Sequence, residues 1–278
     1  MNDVVQQVRQ ELITAIQENR IVLPTLPEVA LQVRDAAQDP DIDVPKMSKV
    51  LAQDAALSAR VVRVSNSPLL RGANPITDLK MAISRLGIQY SCNLAVGLAM
   101  EQMFQATSEA VDRRMREIWG KSTEIAGICS VLAKMYTKLQ GDQATLAGLV
   151  CKIGALPILR YAEEERSLLR DHTLLDVLIA ELHPEIGRLI LETWDFPPEL
   201  VMVPTEYMRF DRQRDTVDYA DVVQVALLQS VIGQDDPLND LDWSQFGAFH
   251  RLGLDPSVNA MEVEDLSEAM AESIAALR

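Results

Sequence analysis

Aromatic residues make up only 5% of this 278-residue chain, and glycine occurs 12 times. Against that scarcity, Ala, Leu, Val, Ile, Met and Glu recur throughout, a mixture that favours helix because unbranched side chains lose little rotamer freedom there. Basic charge is also short: 26 Lys and Arg stand against 41 Asp and Glu, a formal net charge of −15. Such a chain lacks the basic face that releases counterions from a phosphate backbone, so nucleic acid is not an expected partner. Cysteine occurs three times, as Cys92, Cys129 and Cys151, each inside an apolar pattern and none in a Cys-x-x-Cys pair. That placement argues against a disulfide frame and against zinc, and reads as reduced, buried thiols in a cytosolic protein. The N-terminal stretch MNDVVQQVRQELITAIQENR has neither the basic nor the apolar region of a signal peptide. The apolar run Leu94 to Met100 is too short to cross a bilayer, so a cytoplasmic protein with no membrane partner is expected.

What is present is helical spacing. With 48% hydrophobic residues, the chain can bury a sizeable core. Val4, Val5, Val8, Leu12 and Ile16 form one stripe and predict an amphipathic helix over residues 3–19. Pro24 and Pro27 force an extended entry to a helix from Glu28 to Gln38. Asp43, Asp54 and Thr77 are placed to cap the next three helices, and Gly87 stands where a left-handed C-terminal cap belongs. The longest predicted element runs from Ser108 to Leu139, with an apolar stripe that fits core burial better than a coiled-coil seam. Pro157 is expected to kink or end a helix, His183-Pro184 to open one, and DFPP after Trp194 to close it. Helices are expected again over Asp218 to Ile232 and Val263 to Leu277. No alternating strand pattern of useful length appears. The expected fold is all-α.

The chemistry is less legible. The three histidines, His172, His183 and His250, are far apart in sequence, and adjacency to a nucleophile cannot be read from it. GLVCKIG lacks the Gly-Lys-Ser/Thr ending of a phosphate loop. Within LVCKIGAL, Cys151 reads as a small hydrophobe, but Lys152 in an apolar run is costly unless its charge is paired or reaches water.

The ordered motifs LPTLPEVALQV, LAQDAALSARVVRVSNSP, ITDLKMAISRLGIQYSCNLAVGLAM, AGLVCKIGAL and HPEIGRLILETWDFPPEL resemble the HDOD domain, an HD-related output module of bacterial signalling proteins. The resemblance covers residues 22–205, with an N-terminal helix before it over 1–21 and a C-terminal helical extension completing the fold over 206–278. It implies a multi-helix bundle like that of the HD-type metal-dependent phosphohydrolases. In catalytic relatives the counterpart of LVCKIGAL carries an adjacent His-Asp pair, and here Cys151 and Lys152 stand in those places. The resemblance puts a further lost ligand near Lys121, matches His183 to a metal-ligating histidine, and matches Asp221 in YADVV to the final aspartate. Lys121, Cys151, Lys152, His183 and Asp221 are thus vestigial positions, with no catalytic, metal or cofactor site expected. Two readings of Lys152 stand: its ammonium, with that of Lys121, is the counter-charge to Asp221, or it snorkels to the surface.

The resemblance therefore implies a non-catalytic regulatory module of bacterial signal transduction that binds a protein partner. A sensor kinase, a response regulator or a cyclic dinucleotide enzyme would suit, and a homodimer is admissible. A phosphohydrolase with an unorthodox site and a small-molecule or nucleotide sensor using the vestigial pocket are the alternatives.

Overall fold

The computed structural model describes residues 2–18, 22–257 and 264–278, and the regular elements among them are all helical. The first six helices are α1 (Asn2–Gln17), α2 (Glu28–Gln38), α3 (Val44–Leu51), α4 (Ala55–Ser65), α5 (Leu79–Leu86) and α6 (Ile88–Ala99). A long helix, α7 (Glu109–Tyr136), is followed by α8 (Gly141–Val150), α9 (Ala155–Glu164), the short α10 (Arg166–Arg170) and α11 (His172–Thr193). The chain ends with α12 (Pro198–Val201), α13 (Val203–Glu206), α14 (Tyr219–Val231), α15 (Gly247–Leu252) and α16 (Glu264–Leu277).

α7 is the axis of the molecule. Its 28 residues extend about 42 Å at the rise of an α-helix. α8, α14 and α16 all pack against it, which is why its second half, from Ile125 to Ala133, is buried all round. The approach of α8 is close enough to require glycine: a Cβ on Gly148 would lie 2.5 Å from Ala126 Cα. α14 is buried at all 13 positions, so its three long polar side chains, Asp221, Gln224 and Gln229, must find partners inside the protein. α2 lies on α6 and α3, while α11 packs against α1, α9 and α13.

Local chemistry explains most helix ends. Asp43 and Asp54 accept hydrogen bonds from Lys46 N and Leu57 N, the caps expected from sequence. The cap of α5 is Asp78 rather than Thr77, and its carboxylate accepts from Met81 N at 2.9 Å. Gly87 has the expected positive φ of 85°, but its ψ of 161° is extended, so the residue ends α5 and starts α6 at once. Asn66 ties down the loop after α4: its side chain accepts from Ile76 N and donates to Ile76 O, both at 2.8 Å.

Two proline readings need correction. The break near Pro157 falls earlier, at residues 151–154, and Pro157 sits in the first turn of α9, where a missing N–H costs nothing. Pro184 does not open a helix but lies inside the 22-residue α11. Leu175, Leu178, Leu182, Ile186 and Ile190 are buried along one face on both sides of it, and that continuous packing outweighs the lost backbone bond. The apolar stretch Gly141–Glu164 is long enough to cross a bilayer by length and composition, longer than the run expected from sequence, yet 83% of its most apolar window is buried within the fold. Val263 and residue 19, at the edges of the expected terminal helices, lie outside the described residues.

Candidate functional site

The turn that separates α8 from α9 carries Cys151 and Lys152. Backbone bonds from Ile153 N to Val150 O and from Ala155 N to Lys152 O close it tightly. Gly154 seats it on α11, because a Cβ there would lie 2.0 Å from His183 O and 2.4 Å from Gly187 N. Cys151 is fully buried and its Sγ–H donates to Gly148 O at 3.1 Å. Burial pushes the thiol up to about 12, against the opposing pull of the Lys152 charge, so it stays protonated. Lys152 itself is half-buried, and its ammonium makes no ion pair or hydrogen bond to a described residue.

His183 faces this turn from α11 and is 5% exposed. Its Nδ1 lies 2.7 Å from Ile179 O, and since a carbonyl only accepts, Nδ1 carries the proton. Nε2 then has the lone pair, and the Tyr207 hydroxyl donates to it at 2.7 Å. Burial lowers the imidazole pKa to about 4, with the Lys152 charge adding to the effect and the Ile179 and Ala180 carbonyls opposing it. The Ala180 carbonyl is the one that Pro184, lacking an N–H, cannot serve. His183 is a neutral ring with both nitrogens engaged.

Asp221, in the first turn of α14 and at 0% exposure, makes no hydrogen bond or ion pair with that group. It closes a capping box with Asp218: Asp221 N donates to Asp218 Oδ1 at 2.9 Å and Asp218 N to Asp221 Oδ2 at 3.2 Å. Its other acceptor positions are taken by arginines. Arg212 Nη1 donates to Oδ1 at 2.7 Å, while Arg251 donates from Nη2 to Oδ1 at 2.7 Å and from Nε to Oδ2 at 2.8 Å. Arg212 is nearly enclosed and spends its other donors on Glu206 and Asp218. Burial alone would lower the Arg212 pKa, but the bonds and charges of Asp218, Asp221 and Glu206 outweigh it and raise it. Asp218 moves the other way, its burial outweighed by Arg212, and its pKa is lowered.

The structure therefore brings Cys151, Lys152 and His183 together and adds Tyr207, which the motifs did not single out. Of the two readings of Lys152, the ion pair with Asp221 is not formed: Arg212 and Arg251 hold that carboxylate. Lys121 is elsewhere too: its Nζ donates to Ser230 O at 2.9 Å and lies 3.3 Å from Glu124. Ser230 is nine residues along α14 from Asp221, about 13 Å by helix rise. Organic cations do neutralise Asp221, but they come from outside the recognised motifs. Arg212 lies in the charged stretch MRFDRQRDTVD, outside the quoted motifs, and Arg251 is 30 residues beyond its partner. No local periodicity announces either one.

These residues do not fit a divalent ion. Such an ion needs carboxylate and imidazole lone pairs pointing into one space. Here the imidazole lone pair receives the Tyr207 hydroxyl, the Asp221 oxygens receive four N–H bonds, and the thiol is held protonated beside an ammonium. Among the described residues no group of three or more His, Cys, Asp or Glu side chains is placed to hold a metal.

An all-helical bundle of this kind is the architecture of an HD-related protein. The HDOD domain model matches residues 23–209, and the chain belongs to the HDOD domain family. Over its full length it is 30% identical to a protein from Shewanella amazonensis named as a candidate metal-dependent phosphohydrolase; both chains are covered completely, with a TM-score of 0.88. An HDOD domain protein of unknown function from Geobacter sulfurreducens shares the fold at TM-score 0.66 and 20% identity, over 98% of this chain and 97% of that one. Among curated relatives, the cyclic di-GMP phosphodiesterase CdgJ from Vibrio cholerae is 26% identical over 129 residues, which is 46% of this chain and 28% of that protein. An uncharacterized protein from Treponema pallidum is 23% identical over 193 residues, 64% of this chain and 36% of the other. The chain thus spans about a third of the length of the curated relatives it matches.

Proposed function

We propose that this chain is a non-catalytic signal-transduction module that acts by binding a protein partner. The observation that carries this reading is the state of Asp221, whose carboxylate is saturated by Arg212, Arg251 and the α14 cap. A ligand position occupied in this way is a structural joint, and removing the arginines to admit a cation would leave buried charges unpaired. The closed packing of His183 against Tyr207 supports the same reading over a ligand sensor built on the vestigial centre. A sensor kinase, response regulator or cyclic dinucleotide enzyme is the partner class this function calls for. The likeness to CdgJ fits the last of these, since the matched part is a minority of a longer protein with a named enzymatic activity.

The phosphohydrolase reading has one finding in its favour, the name of the full-length Shewanella amazonensis relative. Elemental analysis of the purified protein, with hydrolysis of bis(p-nitrophenyl) phosphate and cyclic di-GMP assayed with added manganese, separates the two. The expected result is substoichiometric metal and no turnover above buffer. Stoichiometric manganese, iron or zinc together with turnover would overturn the non-catalytic assignment.

A further inference from the structure

The C-terminal helix α16 packs on α7 and α4, outside the residues that the family model matches. Its buried face is a helical stripe of Leu266, Met270, Ser273 and Leu277. The seat on α7 brings the two backbones together: a Cβ on Gly127 would lie 2.6 Å from Ile274 Cγ1 and 2.8 Å from Ile274 Cα. Gly120 stands on the same face of α7, two turns earlier and about 10 Å away by helix rise. A Cβ there would meet nothing within 4 Å, and Gly120 lines a cleft of about 340 Å³ that Arg278, the residue after α16, also lines. The face of α7 that seats α16 is therefore longer than the part α16 covers.

Arg60 of α4 clasps the last turn of α16. It donates from Nη1 to Glu101, in the turn after α6, and from Nη2 to Leu277 O. The seat is not fully satisfied, because Arg60 Nε and Glu272 Oε2 of α16 are buried without a hydrogen-bond partner. Buried polar atoms left unpaired cost free energy that water returns once they are exposed, so the closed position carries a penalty that an open one relieves. We propose that α16 is a displaceable occupant of a helix-docking groove on α7, and that a protein partner binds by laying an amphipathic helix in its place. The helix that fits repeats the spacing of the buried face of α16, allows close backbone approach over Gly127 and runs on toward Gly120. This rests on the protein-partner function proposed above and adds its surface and its regulation, since α16 competes with the partner.

Hydrogen exchange and peptide competition on the full chain test the assignment. Amides of α16 exchange at least about tenfold faster than those of α7 between Ile125 and Ala133, because α16 opens without global unfolding. A labelled peptide with the sequence of residues 264–278 is the docking probe. Met270→Ala weakens the resident helix but not the seat, so this variant binds the peptide about tenfold or more tightly than the unmodified protein does. Adding Gly127→Ala to Met270→Ala obstructs the seat and removes that gain, with circular dichroism confirming the fold of both variants. Equal exchange in α16 and α7, no gain in peptide affinity with Met270→Ala, or a gain that survives Gly127→Ala would each refute the proposal. Each of these results leaves the protein-partner reading standing, whereas metal-dependent turnover would overturn that reading and leave the peptide result unchanged.

Discussion

His183 shows how its surroundings decide what one side chain can do chemically. An imidazole ligates metal through a free lone pair, and here that lone pair accepts from Tyr207. The cost is a pH dependence of known sign. The folded pKa of about 4 lies below the ordinary 6.5, so the unfolded chain takes up the proton first as pH falls. The neutral ring has no effect on stability above pH 6.5, loses ground steadily below it, and reaches its full penalty near pH 4. Urea unfolding at about pH 5 is expected to give about 2 kcal/mol less stability than at pH 7.5 from this residue. His183→Gln should remove that difference, leaving only the contribution of the titrating carboxylates. Equal pH slopes in the two proteins would mean that the ring titrates in the fold as it does in the unfolded chain.

At the scale of elements, the decisive contact is the 151–154 turn against α11. It places Cys151 and Lys152 beside His183, and it exists only because residue 154 has no side chain. Both obstacles to a Cβ are backbone atoms, His183 O and Gly187 N, which cannot rotate away. Gly154→Ala is therefore expected to destabilise the protein by about 3 kcal/mol, at the upper end of overpacking penalties, and to lower the thermal midpoint accordingly. A loss under about 1 kcal/mol would show that the turn and α11 can separate without harm. The same contact explains why the two proline expectations failed. Each was argued from Pro157 or Pro184 alone, whereas the helix boundary lies at the glycine turn and α11 is held straight through by its buried face.

Across the whole molecule, the cluster around Asp221 joins distant parts of the chain. Glu206 lies inside the matched family region, while Arg212, Asp218, Asp221 and Arg251 lie beyond it. The cluster ties α13, the connection that follows it, α14 and α15 into one body. Asp221→Asn leaves two buried guanidiniums short of their counter-charge and is expected to cost about 3–5 kcal/mol in urea unfolding. Arg209→Ala, at the exposed edge of the same cluster with its side chain 59% exposed, should change stability by no more than about 0.5 kcal/mol. Comparable losses in both variants would mean that the cluster is wet and that Asp221 is not its anchor.

Periodicity, capping residues and composition were enough to determine an all-helical chain and most of its elements, because each of these signals acts within a few residues of its cause. Asp43, Asp54 and Asp218 begin helices as their positions imply, and the ordered motifs carry the family likeness. Sequence also marked Lys152 as a cation out of place. Only the tertiary structure decided which cations meet Asp221, since Arg212 and Arg251 reach it across loops whose closure no local pattern encodes. Long charged side chains look alike on paper whether they face water or a buried carboxylate, and packing alone distinguishes the two.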